Sequence, residues 1–221
     1  VEGLRVPSGC TIPSPLQRAC AFFAEEYAYY DALPDDDPNR IGVIDVLAPV
    51  MMNAFSFGMG ASKLRAIHQG LATACDPLLG SISPEADLAA DDPPLAELRS
   101  LLDAAISVHG VLIPVATKVL HRKRPALIPM LDNVVIGYYL EALGESRLRG
   151  RTQDHRAAQV ALFVTEAFRR DLLACGGRLD SLRQAMGAEG YKVTSVRLLE
   201  VLIWSQVEPA GYYASNNATS E

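Results

Sequence analysis

The chain has 221 residues, 49% of them hydrophobic and 21% charged, with a net charge of −6. That length suits one domain with a sizeable core, and the balance excludes a disordered or fibrous protein. An acidic total also argues against wholesale coating of nucleic acid.

Read in chain order, nearly every segment between turn signals has helical periodicity. Ser14–Pro15 is a cap and first-turn pair that predicts a helix to about Leu33, with Leu16, Cys20, Phe23 and Tyr27 on one side. The aspartates between Pro34 and Asn39 mark a loop. A second helix is expected over Ile44–Phe57, with Pro49 as a kink, and a third over Ala61–Cys75, stopping before Pro77. Pro93 and Pro94 introduce Leu95–Val108, where Leu95, Leu98, Leu102 and Ile106 recur at helical spacing. Then come Val115–Arg122, Asn133–Leu143, a long helix Gln153–Cys175 stopped by Gly176, a short Leu179–Met186 and a closing Thr194–Val207. No alternating strand run is found. The expected fold is all-α, with eight or nine helices in one domain over 1–209. An acidic lobe (1–108), a basic lobe (109–209) and a flexible tail (210–221) are expected within the chain.

The charge division rests on counts: residues 1–109 hold 6 Lys/Arg against 15 Asp/Glu, and 110–221 hold 14 against 11. The basic half keeps a local anion site open, with its sharpest cluster at Lys118, Arg122, Lys123 and Arg124 and a second at Arg147, Arg149 and Arg151. The longest apolar stretches, Val43–Phe57 and Ile106–Leu120, are interrupted by Asp45 and by His109 with Lys118, so no membrane span is expected. No basic leader precedes an apolar block, and the four scattered cysteines form no paired motif. These features point to a cytoplasmic protein. The four histidines lack metal-motif spacing, so no metal is expected. There is no P-loop or dinucleotide fingerprint, so no cofactor is expected either.

One stretch carries chemistry. His109–Tyr139 reads as a helix end, a tight apolar turn, a short helix, a basic segment, a proline and an aspartate opening a new helix. Gly110–Val111 at the turn, Ala116 and Leu120 in the short helix, and Asp132 beyond it resemble the signature of helix-hairpin-helix DNA glycosylases. The resemblance covers about thirty residues and implies a hydrolase of N-glycosidic bonds that binds DNA. Asp132 would be the catalytic carboxylate, and the amides of Gly110 and Val111 would sit on phosphate. Lys118, Arg122, Lys123 and Arg124 would contact the backbone. Leu112 and Pro114 depart from that pattern. Pro114 stands where lyase-type members carry their lysine, so a monofunctional hydrolase is implied. Gly42–Met52, Val115–Asp132 and Val193–Trp204 also resemble an uncharacterised family of actinobacterial helical proteins, which implies a bacterial setting and no chemistry.

Each residue has a plainer reading. Asp132 is a natural helix N-cap, and Arg122–Arg124 reads as a solvated turn or as positive charge at a helix end. His109 is the nearest acid–base candidate to the turn, and Tyr138 a candidate for a pocket rim. Two other expectations stand beside the glycosylase: a small-molecule enzyme or binding protein holding an anionic ligand at the basic residues, and a non-catalytic interaction module.

Overall fold

A computed structural model of the protein describes residues 3–24, 28–34, 37–52, 60–152 and 156–207. The fold is all-α. Among the described residues, nine α-helices and one 3-10 helix stand beside one two-stranded hairpin.

The hairpin was not expected. Strands β1 (Leu4–Arg5) and β2 (Thr11–Ile12) pair antiparallel, with Leu4 opposite Ile12. Both of these side chains are buried, so two residues per strand suffice to seat the segment on the core. Helix α1 runs Pro15–Ala24 and α2 Ala28–Ala32, within the single helix expected to Leu33. Helix α3 covers Val43–Met51 with Pro49 inside it. The expected continuation to Phe57, the Tyr27 face of the first helix and the tail beyond Pro209 lie outside the described residues.

Two predicted stops are overridden. Helix α4 extends over Ala61–Leu79, through Pro77, because Leu79 completes a buried stripe begun by Ile67, Leu71 and Cys75. Helix α8 runs unbroken over Ala157–Ala188, through Gly176 and Gly177, and so absorbs the separate helix expected at Leu179–Met186. A helical glycine costs about 1 kcal/mol relative to alanine. Burial of Leu172, Cys175, Leu179 and Met186 on the same helix outweighs two of them. Helices α5 (Leu95–Ser107), α6 (Ile113–Lys123), α7 (Asn133–Ala142) and α9 (Ser195–Val207) fall close to their predicted spans, and a 3-10 turn occupies Ser146–Arg151.

One apolar cluster draws side chains from both strands and from every α-helix except α2. Helix α6 lies inside it: nine of its residues are buried, including Thr117, Lys118, His121 and Lys123.

A Cβ added at Gly176 or Gly177 meets nothing within 4 Å. Gly176→Ala and Gly177→Ala are each expected to raise stability by about 0.5–1 kcal/mol. Urea denaturation checks this, and a loss of stability would show that α8 does not run straight through these positions.

Candidate functional site

Helix α6 opens at a bend. Gly110 takes φ +84, a conformation that favours glycine, and Leu112 is the extended N-cap. Ile113 and Pro114 form the first turn, where a missing amide hydrogen costs nothing inside the helix. His109, Gly110 and Val111 line a surface groove of about 550 Å³ with Asp103, Ser107 and Ala157. Asp132 is not among the residues lining that groove.

The basic residues at the other end of α6 turn inward. Arg122 and Lys123 belong to its last turn, and Arg124 is its C-cap, so the expected solvated loop is corrected. Arg122 Nε reaches Asp45 Oδ1 at 2.7 Å and Lys123 Nζ reaches Asp45 Oδ2 at 2.7 Å. Asp45 itself is only 3% exposed. Arg122 also donates to the carbonyls of Tyr30 and Pro34, and Lys123 to that of Asp37. Arg124 is fully buried and donates to the carbonyls of Leu79, Ile82 and Pro38 and to Asn39 Oδ1. These three cations fasten α3 and the 37–39 loop to α6. His121 is buried beside them, bonded to the Ile128 carbonyl at 2.6 Å, and burial brings its pKa down to about 4, so it is neutral at physiological pH.

Asp132 stands apart from both groups. It caps α7, and Oδ1 alone accepts from Val134 N at 3.0 Å and Val135 N at 2.8 Å. Thr117 Oγ1 on α6 accepts from Leu131 N at 3.0 Å, which fixes the chain just before the cap. Trp204 on α9 hydrogen-bonds the carboxylate, and Lys118 on α6 attracts it. Burial nonetheless raises the acid above its ordinary range, against the amides and Lys118. Lys118, 6% exposed, donates to the Met52 carbonyl at 3.5 Å, and burial lowers its pKa while Asp132 and Glu200 oppose that shift.

Behind these two lies a second set of charges. Arg197 on α9 holds Asp31 through Nε at 3.1 Å and Nη2 at 2.9 Å, and its Nη1 bonds the Glu200 carboxylate. Its guanidinium lies over the rings of Phe22, Phe23 and Tyr30 at 5.2, 5.6 and 5.8 Å. Tyr30 donates its hydroxyl to the Lys118 carbonyl at 2.5 Å, tying α2 to α6. Glu200 is 4% exposed, and burial pushes its carboxyl up to about 7 against the pull of Arg197.

Of the predicted site residues, Asp132 and Lys118 come together. His109, Gly110 and Val111 line the bend groove, and Arg122, Lys123 and Arg124 face Asp45 and backbone carbonyls. Tyr138 lines a second groove, of about 580 Å³, with Ser8, Cys10, Glu141, Arg149 and Gln206. Its hydroxyl bonds Ser8 Oγ at 2.5 Å and accepts from Cys10 N at 3.3 Å. Glu200, Arg197, Asp31 and Trp204 were not singled out from the sequence. The signal was present in Arg197 and Glu200, two charges three residues apart inside the apolar run Ser195–Trp204. Among the described residues no group of three or more His, Cys, Asp or Glu is placed to hold a metal ion.

The model of a family of unknown function, DUF6308, matches residues 20–207, and the chain belongs to that family. No curated protein and no solved structure matches the chain. No helix among the described residues is long and apolar enough to cross a membrane.

Asp45→Ala removes the carboxylate that Arg122 and Lys123 share, and stability is expected to fall by about 3–5 kcal/mol, as when one partner of a buried ion pair is deleted. An unchanged denaturant midpoint would mean that water reaches these cations.

Proposed function

We propose that the protein is a helix-hairpin-helix glycosylase-like hydrolase that binds DNA and cleaves an N-glycosidic bond through Asp132. The observation that carries the reading is the environment of that carboxylate. It is held at a helix N-terminus by two amides on one oxygen, with the Lys118 side chain and Trp204 against it. The N-terminal end of a helix favours the ionised acid even where burial opposes it. A fixed, partly desolvated carboxylate is suited to two tasks in sugar–base cleavage. It stabilises the positive charge that develops on the sugar, and it orients the attacking water.

The bend before α6 bears on the DNA part of the reading. Gly110 and Leu112 are exposed, but Val111 N donates to the Val108 carbonyl, Val115 N to that of Leu112, and Pro114 has no amide hydrogen, so the expected phosphate contact by the Val111 amide is corrected and the bend offers few donors. The cations of Arg122–Arg124 are engaged with Asp45 and backbone carbonyls. They therefore lend little support either to the expected contacts with a DNA backbone or to a basic cleft for an anionic small molecule. The same engagement sets an expectation for DNA: with few phosphates neutralised, affinity falls shallowly with salt, by about one power of concentration per contact.

The test is release of free base from DNA duplexes that each carry one uracil, hypoxanthine or 7-methylguanine. Asn caps a helix about as well as Asp, so Asp132→Asn should melt within a few degrees of the wild type. Its turnover should fall by about a hundredfold or more. Release at the wild-type rate by Asp132→Asn, or no release from any duplex by the wild type, overturns the reading.

A further inference from the structure

Large apolar side chains left in water are few in this protein, and most of them are gathered on one helix. Among the described residues, five of the eight belong to α3: Val43, Ile44, Leu47, Val50 and Met51. At 3.6 residues per turn these positions fall on one arc of about 120°. Every exposed position of α3 is apolar, because its single charged residue, Asp45, is turned inward onto Arg122 and Lys123. The five side chains are 37% to 58% exposed and together present on the order of 400 Å² of apolar surface, the scale at which a contiguous patch marks a contact site.

The ridge is rigidly mounted. A helix of nine residues is too short to hold its shape alone. Here Val46, Ala48 and Pro49 are buried on the opposite side, and Asp45 both accepts from Gly42 N at 2.8 Å and fastens the helix to α6. A surface ordered in advance loses little entropy when it is covered. Beside the ridge lies a hollow of about 270 Å³, lined by Val43, Val46 and Leu47 of α3 and by Leu64, Arg65 and His68 of α4. The hollow flanks the first half of α3, and Val50 and Met51 stand about 10 Å further along its axis.

We propose that this face is the contact between two copies of the chain, with the α3 helices antiparallel across a two-fold axis and Met51 of each copy seated in the α3–α4 hollow of the other. A two-fold axis brings a surface against itself, so the face must carry both halves of its own contact. Helix α3 does so, with a knob at one end and a hollow at the other. Methionine, unbranched and flexible, fills an irregular gap of this kind. The area is of the right order. A standard interface buries about 800 Å² on each partner, somewhat more than half of it apolar, and the ridge supplies most of that apolar share.

Charge favours a second copy over a membrane surface as the occupant. The net charge of −6 is repelled by anionic lipid headgroups, and α3 carries no cation to offset that repulsion. Two copies also repel each other at long range. The uncharged ridge sets no like charges in contact, and salt screens the remainder.

The experiment is sedimentation equilibrium of the full chain over about 1–100 μM. A species of twice the chain's 23.8 kDa is expected, favoured as salt is raised. Leu47→Glu and Met51→Glu each place a charge at an exposed position of the ridge. Both are expected to melt near the wild type and to weaken association about tenfold or more. A wild type that sediments at 23.8 kDa throughout, or a dimer that both variants leave intact, overturns the proposal. A chain that floats with phosphatidylcholine–phosphatidylserine vesicles and does not self-associate assigns the ridge to a membrane surface and overturns it too. If the variants do not fold, amide hydrogen exchange of the wild type decides. Exchange across Val43–Met51 that slows with protein concentration supports the contact, and exchange that is unchanged over the same range overturns it. None of these readouts involves base release, so the contact and the glycosidase reading stand or fall separately.

Discussion

The structure depends on the near-complete enclosure of α6. An ordinary helix in a protein of this size hides one face and leaves the other to water. Helix α6 hides nearly all of itself, and it does so while carrying Thr117, Lys118, His121, Arg122 and Lys123. A buried polar group without a partner costs a few kcal/mol, more if it is charged. The surrounding chain is therefore arranged to meet each one. Asp45 and the carbonyls of Pro34 and Asp37 meet the cations at one end, the Ile128 carbonyl meets the imidazole, and Leu131 N meets the threonine. These demands fix where α3, the preceding loop and the segment leading to α7 must lie.

The two buried charge groups on this helix are unequal. Around Asp45, Arg122 and Lys123 outnumber the single carboxylate, and carbonyl oxygens take up the difference. Around Glu200 the imbalance runs the other way, toward acid. Buried ion pairs are weak evidence for stability, since well-packed apolar residues often do as well or better. The first group at least has a mechanical use: it ties loop, α3 and α6 together. The second does tie α2 to α9 through Asp31 and Arg197, and Glu200 adds nothing that this pair lacks for fastening.

Much of the fold was legible in the sequence and less of the site. Helical periodicity located α5, α6, α7 and α9 within a residue or two, because those segments carry clean apolar stripes between strong breakers. It failed at Pro77 and at Gly176–Gly177, where local propensity points to an end and burial of Leu79 or Leu179 carries the helix on. The hairpin at Leu4–Ile12 was too short to show alternation. Asp132 was legible twice, as a cap and as a candidate acid. The direction of Arg122–Arg124 was not, since a run of cations reads as solvated unless one knows that the helix beneath it is enclosed. Asp45, conspicuous as the one acid in an apolar run, was the available hint. Arg197 and Glu200 carried the same kind of hint and could have been joined to it.

The cap and the acid at Asp132 are not rival readings. Capping occupies Oδ1, which accepts both amides, and so leaves the second oxygen to other partners. It also anchors the carboxylate to the start of a helix whose own first residues, Val134, Val135 and Ile136, are buried, so the acid cannot swing away. Burial raises the acid, and the positive end of α7 and the Lys118 side chain offset part of that rise. A catalytic carboxylate needs a fixed position, and the two amides and Trp204 provide one here. A single residue at a helix start supplies the fixed position, so the structural role of Asp132 is compatible with the chemical one proposed for it.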